Sequence, residues 1–328
     1  NPIDPSPAIY PSVASGDAPY DIDEATLRSA LYIPAGFQYG AEGAPQPVLL
    51  CGGTGNPGYV SFAGSWIPLL QGEGSFGDPV WLNVPGNLNN DYQSNAEYVA
   101  YAIHYLSSIS NNTKIAVFGF SQGNLDAQWA YKYWPSTRDV VTDHVGFSPG
   151  YRGSELVRTF LGGSATTAAN FAMPAGWLQA EWMSNFVQTL LADGGDSAYV
   201  PTTIIYSATD EVVQPQTGAN ASAVLSDARG VGVTNAQVQE VCAGAVAGAI
   251  YGHETIMVHP LAYALAKDAL ANEGPGLVSR VDVDSVCATY LAPGLELSDL
   301  FLTENTLVWS LATLVMDADK SETEPVIK

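Results

Sequence analysis

The 328-residue chain is 47% hydrophobic and 13% charged, a composition that suits a folded protein with a sizeable core and excludes disorder. Its 11 basic residues against 33 acidic ones give a net charge of −22, which leaves no basic face to displace counterions from nucleic acid and makes anionic membrane surfaces repulsive. No apolar run reaches the roughly 18 residues of a membrane span, and the longest, 241–251 and 307–316, read as core segments.

Residues 1–25, rich in Pro, Ser and Asp, read as an arm on the surface. A strand follows at Gln46–Cys51 and ends in Gly52-Gly53-Thr54-Gly55. Residues 94–108 carry Val99, Ile103 and Leu106 at helical spacing, with Ser94 or Asn95 as cap. Residues 114–120 form an apolar, β-branched run expected as a buried strand, and 122–134 a helix with Leu125, Trp129 and Tyr133 on one stripe. Strand-like runs at 144–148 and 202–207 are separated by an irregular, partly helical stretch. Strands alternating with helices predict an α/β fold, a mostly parallel central sheet covered by helices on both faces. No repeat or linker divides the chain, so 1–328 reads as one domain. After about residue 240 the pattern changes: 241–251 is Ala/Gly-rich, 299–316 is apolar and helical, and 317–325 reads as a frayed polar tail.

Three cysteines cannot all pair. Cys51 lies in the apolar Gln46–Cys51 run and reads as a free buried thiol, which leaves Cys242 and Cys287 able to bridge. The spacing fits no zinc pattern. Sequons at Asn111 and Asn220 suit a secreted, extracellular glycoprotein. With no leader at its start, the chain is expected to begin as a mature protein would.

Gly119-Phe120-Ser121-Gln122-Gly123 fits the G-x-S-x-G nucleophile elbow, in which glycines flank a turn too tight for side chains and a serine is held strained and exposed. Gly146-Phe147-Ser148-Pro149-Gly150 matches the same pattern. Pro149 has no N–H to offer an oxyanion, and the residues after it make a poor helix start, so Ser121 is the nucleophile expected. Ser148 reads as a serine at the end of the next strand. Such a serine needs a base steadied by a carboxylate, in the chain order Ser, acid, His. His104 and His144 lie in regular elements close to the nucleophile and read as polar surface positions. His253, in a loop, and His259, before Pro260 and opening a helix, both follow every candidate acid; composition favours His253. Asp210 ends the β-rich run 201–210, where catalytic groups of parallel sheets gather. Asp193, Asp196 and Asp227 read as solvated loop charges, and the Glu211 side chain is expected to point away. Gln122 supplies one backbone N–H to the oxyanion, and Thr54 a second N–H and a hydroxyl.

These residues resemble the Candida antarctica lipase B family of secreted fungal lipases. The stretches that carry the resemblance are Gly53-Thr54-Gly55, Ser65-Trp66-Ile67-Pro68-Leu69, Ser121-Gln122-Gly123 with Ala127-Gln128-Trp129-Ala130, and above all 200–216 around Asp210. It covers about residues 25–290; the first 25 and the last 40 diverge. It implies an α/β-hydrolase fold, a triad of Ser121, Asp210 and His253, an oxyanion hole of Thr54 and Gln122, and a Cys242–Cys287 bridge. It also implies a substrate pocket at Phe120, Gly150 and Val212. Phe120 stands where the family can carry Trp, and Gly150 where a member can carry an acid. The family's first bridge is lost, leaving Cys51 single with Val80 near one expected position. The activity implied is that of a lipase or carboxylesterase cleaving acylglycerols and related esters through an acyl-enzyme. No metal or cofactor is called for, the chain is read as a monomer, and a lipid–water interface is the candidate partner. The alternatives are a polyester or cutin hydrolase and a binding protein on a hydrolase scaffold. Residues 152–164 and 299–316 are the candidate mobile elements.

Overall fold

The computed structural model describes residues 1–72, 74–161 and 172–328. Seven strands run through these residues: β1 (Leu31–Tyr32), β2 (Gln46–Cys51), β3 (Gly77–Leu82), β4 (Ile115–Phe120), β5 (Val141–Phe147), β6 (Thr202–Tyr206) and β7 (Val233–Gln237). They form one sheet in the order β1-β3-β2-β4-β5-β6-β7, parallel throughout except for β1 on β3. Every residue of β4 is buried, as the unbroken apolar run requires of a strand covered on both faces. Its side chains alternate: Val117 joins Leu49 of β2 in one core, while Ala116 and Phe118 join Val48 and Leu50 in the other.

Five helices position the site: α1 (Trp66–Gln71), α2 (Tyr92–Ile109), α3 (Gln122–Tyr133), α4 (Pro260–Ala271) and α5 (Leu297–Met316). Helices α2 and α3 fill one face of the sheet, and α1 and α4 the other, where Trp66 stacks on Phe147 at 4.7 Å between ring centroids. Helix α2 starts earlier than its apolar spacing suggests. Its cap is Asp91, which accepts the Gln93 N–H, rather than Ser94 or Asn95. Because α2 is buried on nearly all sides, His104 is not a surface residue; it is 5% exposed, with Nε2 2.8 Å from the Ser136 hydroxyl.

Strand β3 escaped the sequence pattern because Gly77-Asp78-Pro79 are poor strand residues. The two-residue β1 covers only Trp81 and Leu82, so Pro79 lies where β3 has no neighbour on that side and its missing N–H costs nothing. The edge strand β7 is too polar to stand out. The two longest apolar runs are core segments only in part. In 241–251, Cys242, Ala247 and Tyr251 join the core while Val246 is 52% and Ile250 75% exposed. Helix α5 buries only Thr303, Thr306 and Leu314, while Phe301, Val308, Trp309, Val315 and Met316 face outward. The polar tail is docked rather than frayed: Ser321 pairs with Met173, and the Glu324 carboxylate accepts the backbone N–H groups of Asn185 and Phe186. None of the described helices is long and apolar enough to cross a membrane.

Candidate active site

Strand β4 passes into α3 through Ser121, whose φ of +51° and ψ of −118° put a serine in a conformation that side chains avoid. Glycine is obligatory on both flanks. A Cβ on Gly119 would lie 2.6 Å from Asn124 Oδ1, and one on Gly123 would lie 2.2 Å from the Cys51 carbonyl oxygen. The corner sets Ser121 at the N-terminus of α3, whose first N–H groups have no partner within the helix and whose dipole favours negative charge there.

Asp210 lies just past β6. Its Oδ1 accepts the N–H groups of Val212 and Val213 at 2.8 and 2.7 Å, and its Oδ2 lies 2.7 Å from His253 Nδ1. Both side chains are buried. Burial pulls the imidazole's pKa down, but the charge and hydrogen bond of Asp210, with the charges of Glu254 and Glu211, outweigh it and raise the value to about 9. Glu211 does not point away. Its Oε2 accepts the His253 N–H at 3.0 Å. From the other side, the Ser148 hydroxyl donates to the His253 carbonyl at 2.7 Å. Glu254, 3% exposed, is raised to about 7 by burial and by Glu211, against the opposing pull of His253.

Ser121, His253 and Glu254 line one cleft with Thr54, Gln122, Phe120, Gly150 and Val212. Phe120 fills the space between the oxyanion loop and the imidazole: its ring centroid is 5.1 Å from that of His253, and a Cβ on Gly53 would come within 2.9 Å of it. The Thr54 hydroxyl donates to Gln122 Oε1 at 2.6 Å, and Gln122 Nε2 donates to Asp126 Oδ2 at 3.3 Å. Asp126 is fully buried under the loop, and burial drives its pKa well above the usual carboxylate range, against the hydrogen bond from Gln122.

Helix α5 holds that loop from outside. Ser310 donates to the Thr54 carbonyl at 2.6 Å, and Thr313 to the Gly55 carbonyl at 2.9 Å. The helix also lends Thr306, Leu307 and Ser310 to the cleft wall. Of the other candidate mobile element, 152–164, residues 162–164 lie outside the described residues.

His144 is not at the surface. It is 2% exposed behind the elbow, because β5 is a central strand. Its Nε2 lies 3.0 Å from Asn124 Oδ1, and Asn124 Nδ2 donates to the Ser121 carbonyl at 3.0 Å. Burial lowers the His144 pKa to about 3, so it stays neutral and acts as a strut. His259 caps α4, its Nδ1 accepting the Leu261 N–H, and lies outside the cleft. Asp193, Asp196 and Asp227 are exposed, as are Asn111 and Asn220 of the sequons. A disulfide joins Cys242 to Cys287, and Cys51 is free and buried. Sequence reasoning missed Glu211, Glu254, Asp126 and the Ser310–Thr313 face of α5. For the two glutamates the signal was adjacency to Asp210 and His253; for the rest none existed, because only folding brings them to the cleft.

A parallel sheet with this strand order, a strained serine where β4 meets α3, and an acid–imidazole pair brought in by later loops together define an α/β-hydrolase. No family model matches the chain. It is 36% identical over 225 residues to lipase B of Pseudozyma (Candida) antarctica, a match covering 69% of this chain and 61% of that protein's length. It superposes on the crystal structure of Aspergillus fumigatus lipase B with a TM-score of 0.93 and 46% identity, over 100% of this chain and 76% of that one. The chain belongs to the lipase B family.

Proposed function

We propose that the protein is a serine carboxylic ester hydrolase of the lipase type, with Ser121, Asp210 and His253 as its triad. One observation carries this reading: the strained Ser121 shares an apolar-walled cleft with an imidazole whose far nitrogen is held by a buried carboxylate. His253 takes the Ser121 proton as the hydroxyl attacks the ester carbonyl. Asp210 keeps Nδ1 protonated and stabilises the imidazolium that forms. The Gln122 and Thr54 N–H groups face the oxyanion, with the Thr54 hydroxyl released from Gln122 as a third donor. The imidazolium then protonates the leaving alcohol, and a water activated by His253 hydrolyses the acyl-enzyme. Phe120, Gly150 and Val212 shape the pocket. Family membership supports acylglycerols and similar esters as substrates.

The exposed apolar side of α5, which also forms part of the cleft rim, supports action at a lipid–water interface. The disulfide and the exposed sequons support secretion. The triad, both oxyanion donors and the pocket residues are all supplied by this chain, so the proposed chemistry needs no second copy, and we read the protein as a monomer.

Labelling with an active-site fluorophosphonate tests the reading. Ser121 is expected to be modified stoichiometrically and Ser121→Ala not at all; a wild-type protein that does not react is a binding module. Rates on triolein, p-nitrophenyl esters and a polyester film separate lipase from polymer hydrolase. A preference for the film would overturn the lipase assignment.

A further inference from the structure

The second G-x-S-x-G run, Gly146–Gly150, has no part in the mechanism above, yet its serine is built like the first. Ser148 follows β5 at φ +46°, as Ser121 follows β4 at φ +51°, and the two strands run side by side with Phe120 opposite Phe147. The difference lies in exposure. Ser148 is completely buried, so its hydroxyl meets no substrate. Glycine would hold this left-handed backbone without strain, so a serine here must return something through its side chain.

That side chain reaches the base. The Ser148 N–H is fixed on the Ile205 carbonyl of β6 at 3.0 Å, and its hydroxyl donates to the His253 carbonyl at 2.7 Å. On the other side of the same residue, the His253 N–H donates to Glu211 Oε2 at 3.0 Å. Glu211 in turn stands next to Asp210, which holds Nδ1. The backbone of His253 is thus gripped at both ends, from the end of β5 and from the loop after β6. His253 itself sits in a loop with neither helix nor ladder to fix it. The charged acceptor and the buried hydroxyl supply what secondary structure does not.

We propose that Ser148 is a positioning residue for the His253 base: with Glu211 it clamps the His253 backbone, so that Nε2 is presented to Ser121 at a fixed depth. The proposal rests on the triad assigned above. Its consequence is that losing the hydroxyl lowers turnover without touching the elbow, the oxyanion donors or the acyl pocket.

Two variants test this, because they remove the hydroxyl with opposite effects on the backbone. Ser148→Ala keeps the strain, whereas Ser148→Gly relieves it. Both are expected to lower kcat on p-nitrophenyl butyrate roughly tenfold, the net worth of one hydrogen bond spent on geometry. KM should stay within about twofold, since the groups that bind the ester are untouched. In both, the far-downfield proton resonance of His253 Nδ1 should broaden, because the ring is no longer held still. A serine that served packing alone would lower the melting temperature and leave kcat unchanged well below it. A folded Ser148→Gly protein with wild-type kcat and a sharp Nδ1 resonance overturns the clamp. If the wild type neither hydrolyses esters nor reacts with a fluorophosphonate, the hydrolase reading fails, and the Nδ1 resonance of the variants still decides whether Ser148 steadies His253.

Discussion

Replacing Asp210 by Asn should cost far more than the loss of one charge, because the surroundings of Asp210 dictate how the new amide is oriented. Asp210 Oδ1 accepts two backbone N–H groups, from Val212 and Val213, and Oδ2 faces His253 Nδ1. In Asp210→Asn the amide oxygen must keep the two N–H donors, so the NH₂ is turned to Nδ1. Flipping the amide would leave two buried N–H groups facing an NH₂, at a cost of at least about 2 kcal/mol, which holds the flipped form to about 3%. Nδ1 then becomes an acceptor and the proton moves to Nε2, the tautomer that cannot take a proton from Ser121. A wrong tautomer of this kind costs on the order of 10⁴ in kcat, or about 5 kcal/mol of barrier. The electrostatics change as well. Burial alone lowers the His253 pKa, and Asp210 is the first of the groups opposing it, so the acid limb of the residual kcat/KM should move to lower pH. Stopped-flow and steady-state hydrolysis of a p-nitrophenyl ester from pH 5 to 10, with thermal melts to show folding, measures both effects. A folded variant within tenfold of the wild-type kcat would refute the argument.

Three further outcomes are expected. In the wild type, kcat/KM should climb with pH toward about 9, where His253 becomes neutral, while stability moves the other way. The raised His253 contributes stability fully present below pH 6.5 and lost as pH rises through 9, and the raised Glu254 contributes stability present below 4.5 and lost through 7. Glu254→Gln should therefore flatten the loss of melting temperature near pH 7 and shift the acid limb of kcat/KM downward; an unmoved limb excludes Glu254 from the base's environment. Gly123→Ala puts a methyl 2.2 Å from the Cys51 carbonyl. It should destabilise the fold by about 1–3 kcal/mol and cost roughly 100-fold in kcat as the nucleophile shifts, and near-normal activity would show that the corner is not tight. The Cys242–Cys287 bridge spans 45 residues and encloses His253. Opening it with Cys242→Ser and Cys287→Ser should cost about 4 kcal/mol by loop-closure entropy, read from urea denaturation at fixed pH; a change under about 1 kcal/mol would contradict that.

The chain's local chemistry determined a good deal. The unbroken apolar runs at β2, β4 and β6 could bury both faces only in a covered parallel sheet. Glycines around Ser121, followed by a helix former with an N–H, marked the elbow and separated it from Gly146–Gly150, where Pro149 has none. Asp210 was marked by standing just past a β-rich run, and His253 by following it in a loop. What stayed hidden depended on contacts between distant segments. An apolar stretch such as 299–316 looks the same in sequence whether it fills a core or, as here, docks through Ser310 and Thr313 on the oxyanion loop and turns Trp309 and Val315 outward. A histidine's burial is likewise set by its neighbours. His104 and His144 became interior struts because α2 is enclosed and β5 is central, which no property of their own segments shows. Sequence fixes which chemistry each residue can perform and which local turns it can take. The sheet order and the loops that close over its edge decide which of those groups meet, because a buried polar group is stable only beside partners that the rest of the chain brings to it.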